Sequence, residues 1–227
     1  RGVAAETRGV VVQALPMRGR HSISSARPRL APLLAILGLS HAMRLYDIPV
    51  SNHGARVRYL LYKKQLEVEL ISPGKLGGLG SDEYKAFNPQ AKMPLLVDGD
   101  LSVWESDAIC RHLLDKHAGA PGPSFSPSTL EARTTSEMLC RLHDAYIGPI
   151  QGCLYRAPPH FGRHGSRRAA IADLLQQLRV AEDLASADGP YLTGAEVSLA
   201  DATLFPTVAF VVHMLPKFAE LAPGPHA

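Results

Sequence analysis

Cysteine is scarce in this chain: Cys110, Cys140 and Cys153 are the only three in 227 residues. They form neither a CxxC pair nor a metal-ligand cluster, and so odd and sparse a set excludes a disulfide framework and favours a reducing compartment. Acids are almost missing from the first 42 residues, where Glu6 stands alone against Arg1, Arg8, Arg18, Arg20, Arg27 and Arg29. The formal charge of +3 is therefore mainly a property of this leader, and nothing in the remainder marks a nucleic-acid partner. Long apolar runs are lacking too: Leu30–Leu39 is too short to span a bilayer, so no membrane partner is expected. The glycine-rich stretch from Pro73 to Ser81 has neither the spacing of a phosphate loop nor that of a dinucleotide fingerprint. No metal or redox cofactor is implied.

What is present is the composition of an ordinary globular protein, 46% hydrophobic and 20% charged. The leader, residues 1–42, is rich in Arg, Ser, Ala and Pro, as transit peptides are. Two other readings fit it: an extension upstream of a start at Met43, or a short signal region, Leu30–Leu39, ahead of Ser40-His41-Ala42. All three place the start of the folded protein near residue 43. The expected compartment is the cytoplasm, or the chloroplast or mitochondrion if the leader is a transit peptide. A second break falls at Ala118–Ser128, where Gly119, Pro121, Gly122, Pro123 and Pro127 preclude a helix and leave a polar, turn-rich connector. The expected organisation is thus a mixed domain over 43–118, a linker over 119–128 and a helical domain over 129–227.

Within the first domain, Leu45–Val50 reads as a buried strand, and Ser51-Asn52 supplies N-cap residues to a helix carrying Val57, Leu60 and Leu61. Val68–Ile71 is a second strand. Met93-Pro94-Leu95-Leu96-Val97 and Leu101–Trp104 flank an Asp-Gly turn as a hairpin, and Ser106 caps a helix with Ile109, Cys110, Leu113 and Leu114. Cys110 falls at helical spacing among apolar residues, which makes it a core residue.

Three segments could wall one pocket: Met43–Arg58, Phe87–Val97 and Trp104–Asp107. Together they resemble the glutathione transferases. The resemblance implies an α/β plus all-α fold, a thioredoxin-like N-terminal domain followed by an all-helical C-terminal domain. It implies that Ser51 stabilises the glutathione thiolate, where the thiol-transferring branches carry cysteine. Lys92, the backbone of Met93 before a cis Pro94, and the Glu105-Ser106 pair would hold the tripeptide. Glutathione then acts as co-substrate with no other cofactor, and the partner is a small hydrophobic electrophile. A homodimer follows from the same resemblance. A second reading is a transferase-like module that binds glutathione, ligands or a partner protein without turnover.

After the linker, Met138, Leu142 and Tyr146 form one apolar stripe, and Ile171, Leu174, Leu175 and Leu178 another; both are expected in the core. Ser198 and Asp201 have the spacing of a capping box, a structural role. The electrophile would sit between the domains, with Tyr146, Tyr155 and Arg156 as lining. Beyond Pro216 little helical sequence remains, so a shortened helical domain is expected.

Overall fold

The computed structural model describes residues 43–221, which belong to one compact unit. The leader and the tail from Ala222 lie outside the described residues, and with them the readings made of both.

Four strands form a mixed sheet: β1 (Arg44–Tyr46), β2 (Glu69–Ile71), β3 (Leu95–Asp98) and β4 (Leu101–Trp104), in the order β2-β1-β3-β4. β1 and β2 are parallel, joined across α1 (Asn52–Lys64), while β3 runs antiparallel to both β1 and β4. The two-residue turn Gly99-Asp100 closes the hairpin, with Gly99 at φ 59°. A short helix, α2 (Asp82–Lys85), precedes β3, and α3 (Ser106–Lys116) follows β4.

Side-chain alternation along the strands explains the layers. Leu45 and Leu96 point to the face covered by Val57, Leu60 and Leu61 of α1 and by Ile109 and Leu113 of α3. Tyr46, Leu95 and Val97 point to the other face and meet Tyr84 of α2. Each fully buried Leu or Val here stabilises the fold by about 1.5–3 kcal/mol before ordering costs.

β1 is shorter than its sequence suggests. After Tyr46 the Asp47 carboxylate turns inward to an ion pair with Arg58, Pro49 offers no amide, and Val50 is 83% exposed. A Cβ at Gly54 would collide with the Asp47 carboxylate, so the glycine leaves that side chain its place in this turn.

The second half contains α4 (Leu130–Leu142), α5 (Arg167–Leu184) and α6 (Leu199–Met214). α4 runs into a π-helical turn, His143–Ile147, then one further turn, Gly148–Ile150. The expected stripe on α4 holds only at Leu142: Met138 and Tyr146 are exposed, and the buried positions are Ser136, Leu139, Cys140 and Leu142. The π turn inserts an extra residue, so the periodicity that aligns Tyr146 with Leu142 breaks there. On α5 the stripe holds, with Ile171 and Leu174 buried and Leu175 and Leu178 packed against the core.

α6 is the central helix and packs on both α1 and α4. Its start is a capping box: the Asp201 carboxylate accepts from the Ser198 amide at 2.7 Å, the Ser198 hydroxyl at 2.9 Å and the Leu192 amide at 2.9 Å. Leu199–Leu221 is long and apolar enough by composition to cross a membrane, but half of that window is buried among protein side chains, as suits a core helix. The linker is also less polar than expected. Phe125 is buried against Tyr59, and its carbonyl accepts from the Leu199 amide at 3.2 Å. All three cysteines are free and buried, and burial pushes the Cys110 thiol up to about 12, which fits a core residue.

Candidate functional site

The sheet register brings the three expected walls to one end of the sheet. Tyr46 pairs with Leu95, and Leu95 with Trp104. The segment leaving β1 toward Ser51, the segment entering β3 through Met93-Pro94 and the Glu105-Ser106 step after β4 therefore emerge side by side.

Ser51 is the N-cap of α1, and its hydroxyl oxygen accepts from the Gly54 amide at 3.0 Å. That bond uses the oxygen as acceptor and leaves the hydroxyl proton to donate. Asn52 donates across to Gln151 at 2.8 Å and ties the helix start to the second half. The Met93-Pro94 bond is cis, and Met93 makes no backbone hydrogen bond to other described residues. The loop before it is fixed from within, since Tyr84 and Asn88 both donate to the Lys92 carbonyl at 2.7 Å. The Lys92 side chain is exposed.

Ser106 does not cap α3. Glu105 takes the cap position with φ 70° and no side-chain cap bond, and Ser106 is the first helical residue. The reason lies below it: the Ser106 hydroxyl is buried and accepts from Arg56 at 3.2 Å.

Arg56 is the centre of a network that the sequence reading missed. Its guanidinium is 1% exposed and donates to Asp107 at 3.0 Å and to both Asp144 oxygens at 3.0 and 3.1 Å. Asp144 lies on the π turn, so this pair fastens α1 to the second half. His143, beside it, has both ring nitrogens engaged, with Asp144 at 2.9 Å and Thr207 at 2.8 Å. Burial alone would raise the Asp144 pKa, but the His143 hydrogen bond and the Arg56 charge outweigh it and hold the carboxyl at about 2. No local pattern announces this site: Arg56 looks like one surface charge in a helix, and its partner is 88 residues away.

His53 stacks edge-on against His143, with ring centroids 5.6 Å apart. Potential ligand atoms of His53, His143 and Asp144 lie within 4.8 Å of one another, a spacing a metal ion could use. Arg56 and Thr207 already occupy Asp144 and His143, however, and His53 alone of the three is left with no hydrogen bond to another described residue.

A cleft of about 610 Å³ opens between α1 and α6. Ser51 and Asn52 stand at its wall with Val50, Tyr59 and Tyr62, facing Phe205 and Phe210. The expected lining residues are not on it: Tyr146 and Arg156 lie elsewhere, and Tyr155 touches it only through an edge contact with Phe210 at 5.5 Å.

Family models match both halves, the glutathione S-transferase N-terminal domain over residues 45–121 and the C-terminal domain over 165–227. The chain is 33% identical to glutathione S-transferase Z2 of Arabidopsis thaliana over 170 residues, covering 73% of this chain and 75% of that one. The chain belongs to the glutathione S-transferase family. A second relative in the family, glutathione S-transferase 3 of Zea mays, is 29% identical, with 81% of this chain and 85% of that one covered. Among solved structures, glutathione transferase F2 of Populus trichocarpa superposes with a TM-score of 0.63 at 22% identity, covering 76% of this chain and 83% of that one. This last likeness speaks for the fold: a four-stranded sheet with helices, then a helical domain, as the sequence led one to expect.

Proposed function

We propose that the protein conjugates the thiolate of glutathione to a small hydrophobic electrophile, with Ser51 as the residue that stabilises sulfur. The observation that carries this is the position of Ser51, a hydroxyl with its proton free, at the N-terminus of a 13-residue helix and on the wall of an apolar cleft. Family membership supplies the thiol.

The chemistry needed is modest in size. A free thiol with a pKa of about 8.5 is about 3% thiolate at pH 7. Lowering that by about two units makes roughly three-quarters of it thiolate, for about 2.7 kcal/mol of preferential anion stabilisation. A charge-assisted hydrogen bond from Ser51 and the positive end of α1 are of this order together. The tripeptide would lie across the end of the sheet, its cysteinyl backbone pairing with Met93 as an added strand and its γ-glutamyl end at Glu105 and Ser106. Lys92 would meet a carboxylate. Pro94, Ser198 and Asp201 act on the scaffold. The electrophile would enter between Tyr59 and Phe205, and the product is the thioether.

Ser51→Ala should lower kcat/KM for conjugation by up to about 25-fold at pH 7 while glutathione still binds. Equal turnover by the variant would sink the assignment. Glutathione binding by the wild type with no conjugation across a broad electrophile panel would instead support the non-catalytic module. We also propose a homodimer by family likeness, which sedimentation or light scattering reads directly.

A further inference from the structure

We infer that the cleft where the linker folds over the end of α1 binds a small organic anion, a monocarboxylate with an apolar body. This cleft, of about 330 Å³, shares no lining residue with the one that Ser51 walls. It lies at the C-terminal end of α1, about 20 Å along the helix from Ser51, and is bounded by α3, the linker, α4 and the start of α6. The linker passes very close to α1 there. Gly122 has φ 83°, and a Cβ on it would collide with the Lys63 carbonyl.

Lys64, the last residue of α1, lines the cleft and is 2% exposed. Its ammonium has three N–H donors, and one partner is found for them, the Ala120 carbonyl at 3.0 Å. Among the described residues Lys64 has no ion pair; the lysine bridge found there is that of Lys116 with Asp98. Arg133, on α4, donates to the Pro127 and Ser128 carbonyls at 2.9 and 2.7 Å and likewise meets no acid. Arg111 differs, because Asp107 at 2.7 Å and Glu137 at 2.6 Å neutralise it. That leaves Lys64 and Arg133 against Asp115 in the lining, an excess of one positive charge. A buried cation without a counter-ion is costly, and a bound anion offsets that cost.

The rest of the lining decides which kind of anion fits. Leu114, Phe125, Pro127 and Leu199 supply apolar contact. The buried Ser136 hydroxyl accepts from the Ala200 amide at 3.3 Å and keeps its proton to donate. At about 30 Å³ for each water-sized group, the volume holds on the order of ten non-hydrogen atoms. An inorganic anion would leave the apolar wall bare, and a dianion would exceed the charge available. One carboxylate at Lys64, with a ring against the apolar wall, satisfies both parts. Such a ligand would touch α1, the linker and α4 together and brace the join between the two halves.

The test is calorimetric titration of the full chain with benzoate, and with benzamide as its uncharged counterpart, in wild type, Lys64→Met, Arg133→Gln and Phe205→Ser, with a melting curve for each. Wild type should bind one benzoate and melt at a higher temperature in its presence, with benzamide about tenfold weaker. Lys64→Met should weaken benzoate about tenfold, and Arg133→Gln severalfold. Methionine replaces the buried charge with an apolar chain of similar length, so without ligand Lys64→Met should melt no lower than wild type. Phe205 lines the Ser51 cleft and not this one, so Phe205→Ser should bind benzoate as wild type does. No saturable benzoate binding to wild type overturns the inference, and so does benzamide binding as tightly as benzoate, which would make the cleft an apolar hole. Affinity lost in Phe205→Ser and kept in Lys64→Met puts the ligand in the other cleft and overturns it. A Lys64→Met that melts lower yet binds benzoate like wild type assigns the lysine to fastening the linker and overturns it too. Should Lys64→Met fail to fold, wild-type affinity in Arg133→Gln has the same force.

Discussion

Substituting His53 by Gln should flatten the acid limb of the protein's stability curve, by an amount that follows from the burial of the ring. An unfolded His titrates near 6.5, whereas in the folded protein burial and the nearby His143 lower His53 to about 4. Above 6.5 the ring is neutral in both states and costs nothing. As pH falls through 6.5 the unfolded chain takes up a proton that the folded protein refuses until near 4, so stability present at neutral pH is progressively lost. The full loss is about 3 kcal/mol, of which about 2 kcal/mol is reached by pH 5. Guanidinium unfolding at pH 8 and pH 5, for wild type and His53→Gln, gives four free energies. The carboxylates common to both proteins cancel in the comparison. Wild type should lose about 2 kcal/mol more than the variant between the two pH values. Equal losses would mean that the ring is freely protonated in the folded state, and the reasoning about its neutral form would fail.

Arg56→Met should destabilise the protein by about 3 kcal/mol in guanidinium unfolding, near the lower end for breaking a buried pair, because Asp107 and Asp144 are 30% and 26% exposed and can rehydrate. Arg56→Lys should recover only part of this, since an ammonium cannot span the same acceptors in the plane of the guanidinium. Asp201→Ala removes three hydrogen bonds at the start of α6 and should cost about 3 kcal/mol while leaving the thiolate pKa of bound glutathione unchanged; normal melting with a lost thiolate would contradict its structural role. Gly54→Ala should lower the melting temperature, because its Cβ collides with the Asp47 carboxylate and displaces that side chain from its ion pair with Arg58. A variant with wild-type melting would refute that packing argument.

The order of strands and helices in the first half was legible because each element announces itself locally. Ser51-Asn52 before a helical period, an X-Pro step before an apolar run and an Asp-Gly turn all report on their own few residues. The capping box at Ser198 was legible for the same reason. The Arg56 network was not, because it joins α1 to a π turn 88 residues away, and neither end has a sequence signature. The same π turn defeated the reading of Tyr146 as core, since an inserted residue breaks a period that the sequence itself does not interrupt. Phe125 was hidden inside a stretch read as polar by its glycines and prolines. A single buried anchor in a linker has no period at all. At Ser106 the residue type was read as a cap, but a buried guanidinium beneath it claims the hydroxyl. At His53 the sequence shows a lone imidazole, and only the packing of two halves reveals that it is neutral and unpartnered.

The most direct test of the central claim is the thiol pKa of glutathione bound to the wild-type protein, followed by thiolate absorbance across pH, with Ser51→Ala beside it. The account predicts a value about two units below that of the free tripeptide, returning toward the free value in the variant. A bound thiol that titrates like free glutathione in the wild type would contradict it.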